Sequence, residues 1–144
     1  MAPTYFLDTN IFLRFIHKSN LTSFKECKLL LESIKQGNLS AVSSSHVLAE
    51  ISWTLKSYSR YPRVENIKYL KSICRLSNLS IIDDVQIDQA LIYFERFNIK
   101  FIDCLIASSK HLQSGKWQLV SYDTDFDKIK SLKRFEPKQV LSSI

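Results

Sequence analysis

The sequence predicts an α/β fold in which a mostly parallel sheet is covered by helices on both faces. Short runs of strand-forming residues alternate with amphipathic helical segments along the chain, an order that is typical of parallel sheets. The chain has 144 residues, of which 45% are hydrophobic, so one domain over residues 1–144 can bury a full core. Carboxylates that follow strand-like runs, Asp8 and Asp123, indicate a ligand site at one edge of the sheet.

The first predicted strand, residues 5–7, ends abruptly at Asp8. Asn10 then opens a short helix over residues 11–16. A buried parallel strand that ends in Asp puts its carboxylate at the carboxyl edge of the sheet, where open α/β folds bind their ligands. Asp8 is therefore the first candidate site residue.

The second helix and the second strand are predicted from capping and from hydrophobic periodicity. Ser23 and Glu26 match a capping box, which predicts a helix over residues 23–35. A strand follows over residues 39–43.

Two helices come next in the chain. Ser44 or Ser45 caps a helix over residues 46–59, and Pro62 either ends that helix or begins the next one. Hydrophobic periodicity predicts which residues of these two helices face the core: Val47, Leu48, Ile51, Leu55 and Tyr58 in the first, and Ile67, Leu70, Ile73 and Cys74 in the second.

The third strand is predicted over residues 79–82 and is closed by Asp83 and Asp84. These two carboxylates can cap a helix that runs to about residue 97. Its inner face is expected to consist of Ile87, Ala90, Leu91 and Phe94.

The last part of the chain repeats the alternation. Asp103 enters a helix that Gly115 terminates, with Leu105, Ile106, Ser109 and Leu112 on its inner face. A fourth strand is predicted over residues 117–121, and a capping-box pattern at Thr124 predicts a short helix to about residue 132. Residues 134–136 form a small final strand before a proline.

Composition narrows the class of protein. Twenty Lys and Arg against fourteen Asp and Glu give a net charge of +6, which favours polyanionic partners without identifying one. The chain has neither an apolar run that could span a bilayer nor a signal-peptide pattern, so we expect a cytoplasmic protein without membrane contact. Three widely spaced cysteines in apolar segments, Cys27, Cys74 and Cys104, indicate buried thiols in a reducing compartment.

Four acidic residues stand out, and each has an ordinary explanation. Asp8 and Asp123 can cap the helices that follow their strands, an effect of about 1 kcal/mol each. Asp103 can favour the first turn of its helix through the helix dipole. Glu50 can be a solvated side chain on an amphipathic helix.

The arrangement of these four residues favours a site. Asp8 and Asp123 follow parallel strands and so share an edge, Asp103 lies within an otherwise apolar stretch, and Glu50 borders the apolar stripe of its helix. Two like charges 4 Å apart repel by about 4 kcal/mol at an effective dielectric constant near 20. Such a cluster needs protons or divalent cations, and carboxylate ligands favour Mg²⁺ or Mn²⁺.

Four motifs in the chain resemble those of PIN-domain nucleases. Residues 6–10 (FLDTN) resemble the first motif, 47–51 (VLAEI) the second, 101–107 (FIDCLIA) the third and 120–126 (VSYDTDF) the fourth. All four stand in the family's order and cover nearly the whole chain. The length and the basic charge suit the VapC-type toxins within that family.

The resemblance implies a three-layer α/β/α fold with about five strands in its sheet, and cleavage of RNA that depends on Mg²⁺ or Mn²⁺. Bound cations would activate a water for in-line attack and neutralise charge at the leaving oxygen. Asn10 and Ser121 match the family's polar residues that orient the metal ligands, although Thr is common where Ser121 stands. The resemblance assigns both catalysis and metal binding to Asp8, Glu50, Asp103 and Asp123.

Other polar residues near the motifs are assigned with less support. Asp125 lies two residues beyond Asp123, and it either joins the site or serves as a dipole partner in a first helical turn. Arg14, one turn beyond Asn10, is predicted to contact a scissile phosphate bidentately. Six more basic residues can line an RNA path, although we expect each to be an ordinary solvated residue: Lys56, Arg60, Arg63, Lys100, Lys110 and Lys116.

The resemblance also implies partners, namely RNA, a cognate antitoxin protein and a second copy of the chain. Apolar residues of the helices between residues 53 and 76 can bury a homodimer interface. Two alternatives remain open. A phosphatase of the haloacid dehalogenase type is disfavoured, because Asn10 stands where that family has a second Asp. A non-catalytic RNA- or protein-binding module on the same fold is the other alternative.

Overall fold

The computed structural model describes residues 2–144 and confirms the α/β fold class. Its five-stranded sheet has the order β3-β2-β1-β4-β5, and each neighbouring pair is parallel. Met1, with which the expected domain begins, lies outside the described residues. The strands are β1 (Thr4–Leu7), β2 (Ser40–Ser43), β3 (Leu79–Ile81), β4 (Trp117–Val120) and β5 (Arg134–Phe135).

The helices complete a three-layer α/β/α arrangement around this sheet. Contacts join α1 to α2 and to α3, α3 to α4, and α2 to α8, while α5 packs on α6. Within residues 2–144, no helix combines the length and the apolar composition that crossing a bilayer requires. The helices are α1 (Thr9–His17), α2 (Leu21–Lys35), α3 (Ser45–Ser57), α4 (Arg63–Cys74), α5 (Ile87–Arg96), α6 (Phe101–Ala107), α7 (Lys110–Gln113) and α8 (Pro137–Ser142), with a 3-10 helix over Thr124–Lys128.

The two central strands bring the first and fourth motifs together. Leu7 at the end of β1 is paired with Val120 at the end of β4, and both side chains are fully buried. The Asp8 backbone N–H donates to the Val120 carbonyl at 3.1 Å, which continues the pairing by one residue. Asp8 and Ser121 therefore leave the sheet side by side at its carboxyl edge.

The predicted capping box of α2 is wrong. The helix begins at Leu21, and Asn20 caps it by accepting a hydrogen bond from the Ser23 backbone N–H at 3.0 Å. Asn caps helices as well as Ser does, and Asn20 stands three residues before Ser23. The helix therefore begins two residues earlier than predicted. By contrast, Ser44 caps α3 as predicted.

The predicted cap of α5 is also wrong. This helix begins at Ile87 without a side-chain cap, because Asp83 and Asp84 bond to other elements. The Asp83 carboxylate accepts from the backbone N–H and the hydroxyl of Ser45, at 2.8 and 2.6 Å. Tertiary hydrogen bonds have thus replaced a local cap.

The predicted inner face of α5 is only partly correct. Ala90 and Tyr93 are its buried residues, whereas Ile87, Leu91 and Phe94 are exposed to 55%, 47% and 50%. The apolar stripe of the helix is wider than the surface on which the helix packs. Similarly exposed, against prediction, are Tyr58, Ile67 and Cys74.

Several element ends differ from the prediction by one or two residues, and three further elements differ in kind. The helix expected from Asp103 to Gly115 is two helices, α6 and α7, because the Ser109 hydroxyl caps α7 by accepting from the Leu112 backbone N–H. The short helix after β4 is 3-10 and is capped by Asp123, not by Thr124. Helix α8 was not predicted; it begins at Pro137, a residue suited to a first helical position.

Candidate metal centre

Asp8 is the buried centre of a hydrogen-bond network at the carboxyl edge of the sheet. Its Oδ1 accepts from the Thr9 backbone N–H at 2.7 Å, and its Oδ2 accepts from the Ser121 hydroxyl at 2.6 Å and the Asn10 amide at 3.2 Å. Burial raises the pKa of Asp8 to about 6, although the hydrogen bonds from Ser121 and Thr9 lower it. The charges of Glu50 and Asp123 contribute to this raised pKa.

Asn10 and Ser121 link Asp8 to the loop that follows β4. The Asn10 amide also donates to the Ser121 hydroxyl at 3.0 Å, and its Oδ1 accepts from the Tyr122 backbone N–H at 3.2 Å. The Ser121 hydroxyl oxygen accepts from the Asp123 backbone N–H at 3.0 Å. These bonds fix the orientation of Asp8 and hold the segment that carries Asp123 next to it.

Asp103 is the least satisfied carboxylate of the group. It is the third residue of α6, only 2% exposed, and its Oδ2 has no hydrogen-bond partner among residues 2–144. Burial raises the pKa of Asp103 to about 7, and the charge of Asp8 raises it most among the neighbouring carboxylates. An orphan buried oxygen of this kind calls for an explanation, because leaving it unpaired costs about 1–3 kcal/mol.

Asp123 and Asp125 lie two residues apart at the start of the 3-10 helix, and their surroundings differ. Asp123 uses Oδ1 to cap that helix, accepting from the Asp125 backbone N–H at 2.9 Å. The Asp125 side chain is 42% exposed, and its Oδ1 lies 3.1 Å from the Lys128 ammonium group. Asp125 thus has a cation of its own, whereas the charge of Asp123 acts on Asp8 and Asp103.

Glu50 is presented by α3, and its side chain is 20% exposed. Its Oε2 lies 3.6 Å from the Nζ of Lys100, the residue that immediately precedes α6. Sequence reasoning had placed Lys100 among six ordinary basic residues. The signal that could have distinguished it is its place three residues before Asp103, at the same end of the same helix.

Arg14 lies beside Tyr122, with its guanidinium carbon 4.9 Å from the ring centroid. Its Nη1 donates to the Ser23 hydroxyl at 3.2 Å. The Tyr122 hydroxyl in turn donates to Glu26 of α2 at 2.8 Å. Arg14 therefore has partners in α2 and in the loop after β4, and its contact with a phosphate stays a prediction.

We call Asp8, Glu50, Asp103 and Asp123 the carboxylate site. Within the described part of the chain, no three His, Cys, Asp or Glu side chains are close enough as they stand to hold a metal ion. The chemistry of the site nevertheless fits a divalent cation: its donors are all carboxylate oxygens, one of them is a buried orphan, and the charges repel one another. Such oxygen donors suit Mg²⁺ or Mn²⁺.

Comparisons with known proteins identify a family and a fold. The family model described as PIN domain matches residues 5–132, which include all four carboxylates. No curated protein shows significant sequence similarity to the chain.

Three solved structures share the fold. VapBC2 from Rickettsia felis, crystallised with a DNA fragment from its promoter, contains a chain with 25% identity and a TM-score of 0.61, covering 92% of this chain and 98% of that one. VapBC-1 from nontypeable Haemophilus influenzae has 18% identity and a TM-score of 0.66, with 94% and 98% covered. PAE2754 from Pyrobaculum aerophilum has 17% identity and a TM-score of 0.65, with 99% and 96% covered.

Proposed function

The chain belongs to the PIN domain family, and we propose that it is a metal-dependent endoribonuclease that acts as the toxin of a toxin–antitoxin pair. The observation that carries the proposal is the pair of buried carboxylates, Asp8 and Asp103, whose pKa values are raised to about 6 and about 7. Burial and mutual repulsion both oppose the ionisation of these two carboxyl groups near neutral pH. A bound divalent cation would offset the repulsion and favour the ionised form.

The four carboxylates would hold Mg²⁺ or Mn²⁺, and Asp8 and Asp103 would provide the buried part of the ligand set. The bound ion would supply Lewis-acid activation of water and neutralisation of phosphate charge. Ser121 and Asn10 keep Asp8 oriented through their hydrogen bonds to its Oδ2, so this ligand needs little rearrangement. Glu50 would have to exchange its contact with Lys100 for the ion.

RNA is the substrate we propose, for two reasons. The chain carries a net charge of +6, which attracts a polyanion even though the site itself is acidic. The motif resemblance is to nucleases that cleave RNA. We propose that the protein acts in the cytoplasm, where such a substrate is abundant.

An antitoxin protein is the partner we propose. The chain in the Rickettsia felis VapBC2 structure is covered over 98% of its length, so the likeness is not confined to a fragment. This supports a toxin of the same kind, whose activity a second protein restrains.

We further propose a homodimer. Large apolar residues are exposed on α3 and near the start of α4: Trp53 is 66% exposed, Tyr58 80% and Val64 79%. Burial of these three residues would stabilise an interface within the range 53–76. Light scattering over a concentration series tests the dimer, and a monomer at every concentration would contradict it.

The nuclease is tested by incubating a mixed cellular RNA pool with the protein and Mn²⁺, Mg²⁺ or EDTA. We expect discrete fragments with either metal and none with EDTA. The matched control is Asp8→Asn, which keeps the shape of the side chain, removes a ligand charge and should abolish cleavage. Metal-dependent cleavage that survives Asp8→Asn would contradict the assignment, and growth arrest on expression of the wild type alone would support the toxin.

A further inference from the structure

Lys100 is the basic residue that faces the carboxylate site. Its Nζ lies 3.6 Å from Glu50 Oε2, and its backbone carbonyl accepts from the Asp103 N–H at 3.0 Å. A Lys ammonium group is positively charged at neutral pH, and this one lies beside Glu50 and next to the end of α6 that carries Asp103.

Two neighbouring cations have other partners. Arg14 bonds to Ser23 and lies over the Tyr122 ring. Lys128 contacts Asp125 at 3.1 Å and the Asn98 carbonyl at 3.1 Å. Among the ion pairs of residues 2–144, only that of Lys100 includes one of the four carboxylates.

We propose that Lys100 is a substrate-binding residue whose ammonium group pairs with Glu50 until a divalent cation takes that carboxylate, and then binds a phosphate group of the RNA at the site. The proposal rests on the proposed nuclease function and adds a residue to it. It also gives the loose contact with Glu50 a role, because a 3.6 Å ion pair with a Lys side chain that is 65% exposed is easily exchanged.

The charges explain why one residue can have both contacts. Without a cation, the ammonium group offsets part of the repulsion among four carboxylates. With a cation bound, Glu50 is drawn to the ion and Lys100 loses its partner at the mouth of an acidic site. A phosphate that approaches this site must be kept from its carboxylates, and a flexible, exposed ammonium group provides a compensating charge.

Removal of this charge is therefore expected to have opposite effects on metal and on substrate. In Lys100→Met, Mn²⁺ should bind about 2- to 5-fold more tightly, because a competing cation has left Glu50. Cleavage of the RNA pool at saturating Mn²⁺ should fall about 10- to 100-fold, because a charged contact to phosphate is lost. Lys100→Arg should keep most of the cleavage, since its guanidinium group also binds phosphate.

The experiment measures Mn²⁺ affinity by calorimetry on metal-free protein and initial cleavage rates on the same preparations. Lys35→Met is the matched control: it removes one exposed Lys charge at the end of α2, just before β2 begins and so at the opposite edge of the sheet. It should behave as the wild type in both measurements. Lys100→Gln provides a second, polar replacement, so the result does not depend on the folding of one variant.

The outcomes separate this proposal from the nuclease itself. Tighter Mn²⁺ binding with slower cleavage in both Lys100→Met and Lys100→Gln, but not in Lys35→Met, would establish the role of Lys100. Wild-type cleavage by the Lys100 variants would overturn that role and leave a nuclease that is sensitive to EDTA and to Asp8→Asn. A wild type that cleaves no RNA with either metal would overturn both proposals.

Discussion

Asp8 and Asp84 both follow strands of the sheet, after β1 and after β3, but the two carboxylates have different surroundings. Asp84, which follows β3, accepts from the Ser109 hydroxyl at 2.9 Å and from the backbone N–H and Nδ1 of His111 at 3.1 and 2.5 Å. The His111 ring stacks on Trp117, with centroids 4.2 Å apart. We call Asp84, Ser109, His111 and Trp117 the Asp84 cluster.

The two groups respond to burial in opposite directions. Burial raises the pKa of Asp84, but the hydrogen bonds from His111 and Ser109 outweigh it, so the pKa lies below its usual value. In the carboxylate site burial prevails, and the pKa values of Asp8 and Asp103 are raised. Position after a strand therefore does not by itself mark a functional carboxylate; burial beside other carboxylates distinguishes Asp8 and Asp103 from Asp84.

The largest expected difference between the two groups is in cleavage. Asp103→Asn should lower RNA cleavage with Mn²⁺ by about 1,000-fold or more, because a ligand charge is lost. Asp84→Asn should stay within about 2-fold of the wild type, because its partners are Ser109 and His111. Initial rates on one RNA pool test this, and equal losses in the two variants would remove the distinction between the groups.

The second difference is in the pH dependence of stability without metal. Asp103 has a pKa of about 7 in the folded protein, against 3.8 in the unfolded chain. The folded state therefore favours the protonated carboxyl group, and the stability that this group confers is fully present below pH 3.8 and is lost as the pH rises toward 7. Relative to the wild type, Asp103→Asn should therefore gain about 2 kcal/mol in unfolding free energy between pH 5 and pH 8.

This comparison also removes an opposing effect. Burial lowers the pKa values of His17 and His46, so these residues confer stability at high pH that is lost as the pH falls. Their contribution is common to wild type and variant and cancels in the difference. Urea unfolding at each pH in EDTA provides the measurement, and a difference that does not change with pH would contradict the raised pKa.

The smallest effect is expected at the Asp84 cluster at neutral pH. Asp84→Asn weakens three hydrogen bonds to a largely buried carboxylate and should lower the unfolding free energy by about 1–2 kcal/mol. Asp103→Asn should have the opposite sign at pH 8. Urea unfolding of both variants at pH 8 tests this difference in sign. An unfolding free energy of Asp84→Asn above that of the wild type would contradict it.

Local patterns in the sequence predicted the parts of the fold that depend on local interactions. The ends of β1 and β4 follow from apolar runs that stop at polar residues, and the Asp8 edge follows from those ends. The cap of α5 could not be predicted, because Asp84 bonds to residues 25 and 27 positions further along the chain. Capping is worth about 1 kcal/mol, so tertiary hydrogen bonds can override it.

The candidate site divides in the same way. Asp8 bonds with Asn10 and Ser121, which lie directly after the adjacent parallel strands β1 and β4. The order of the motifs and strands is therefore enough to predict that these residues lie close together. The contact between Lys100 and Glu50 depends on how α3 and α6 sit against each other, which hydrophobic periodicity does not specify. The exposure of apolar residues on α5 was not predicted for the same reason. Periodicity identifies the apolar face of a helix, but not how much of that face packs against another element.

The position of β1 between β2 and β4 has a consequence for the order of events during synthesis. Asp8 is made before the Ser121 hydroxyl that orients it, which lies 113 residues further along the chain. Until β4 leaves the ribosome, one side of β1 has no partner strand, and Asp103 and Asp123 are missing from the site or unplaced. Contacts of such long sequence separation form late in folding. The carboxylate site of a growing chain is therefore incomplete beside the ribosome, and a nuclease built on it would become competent only once β4 has paired with β1.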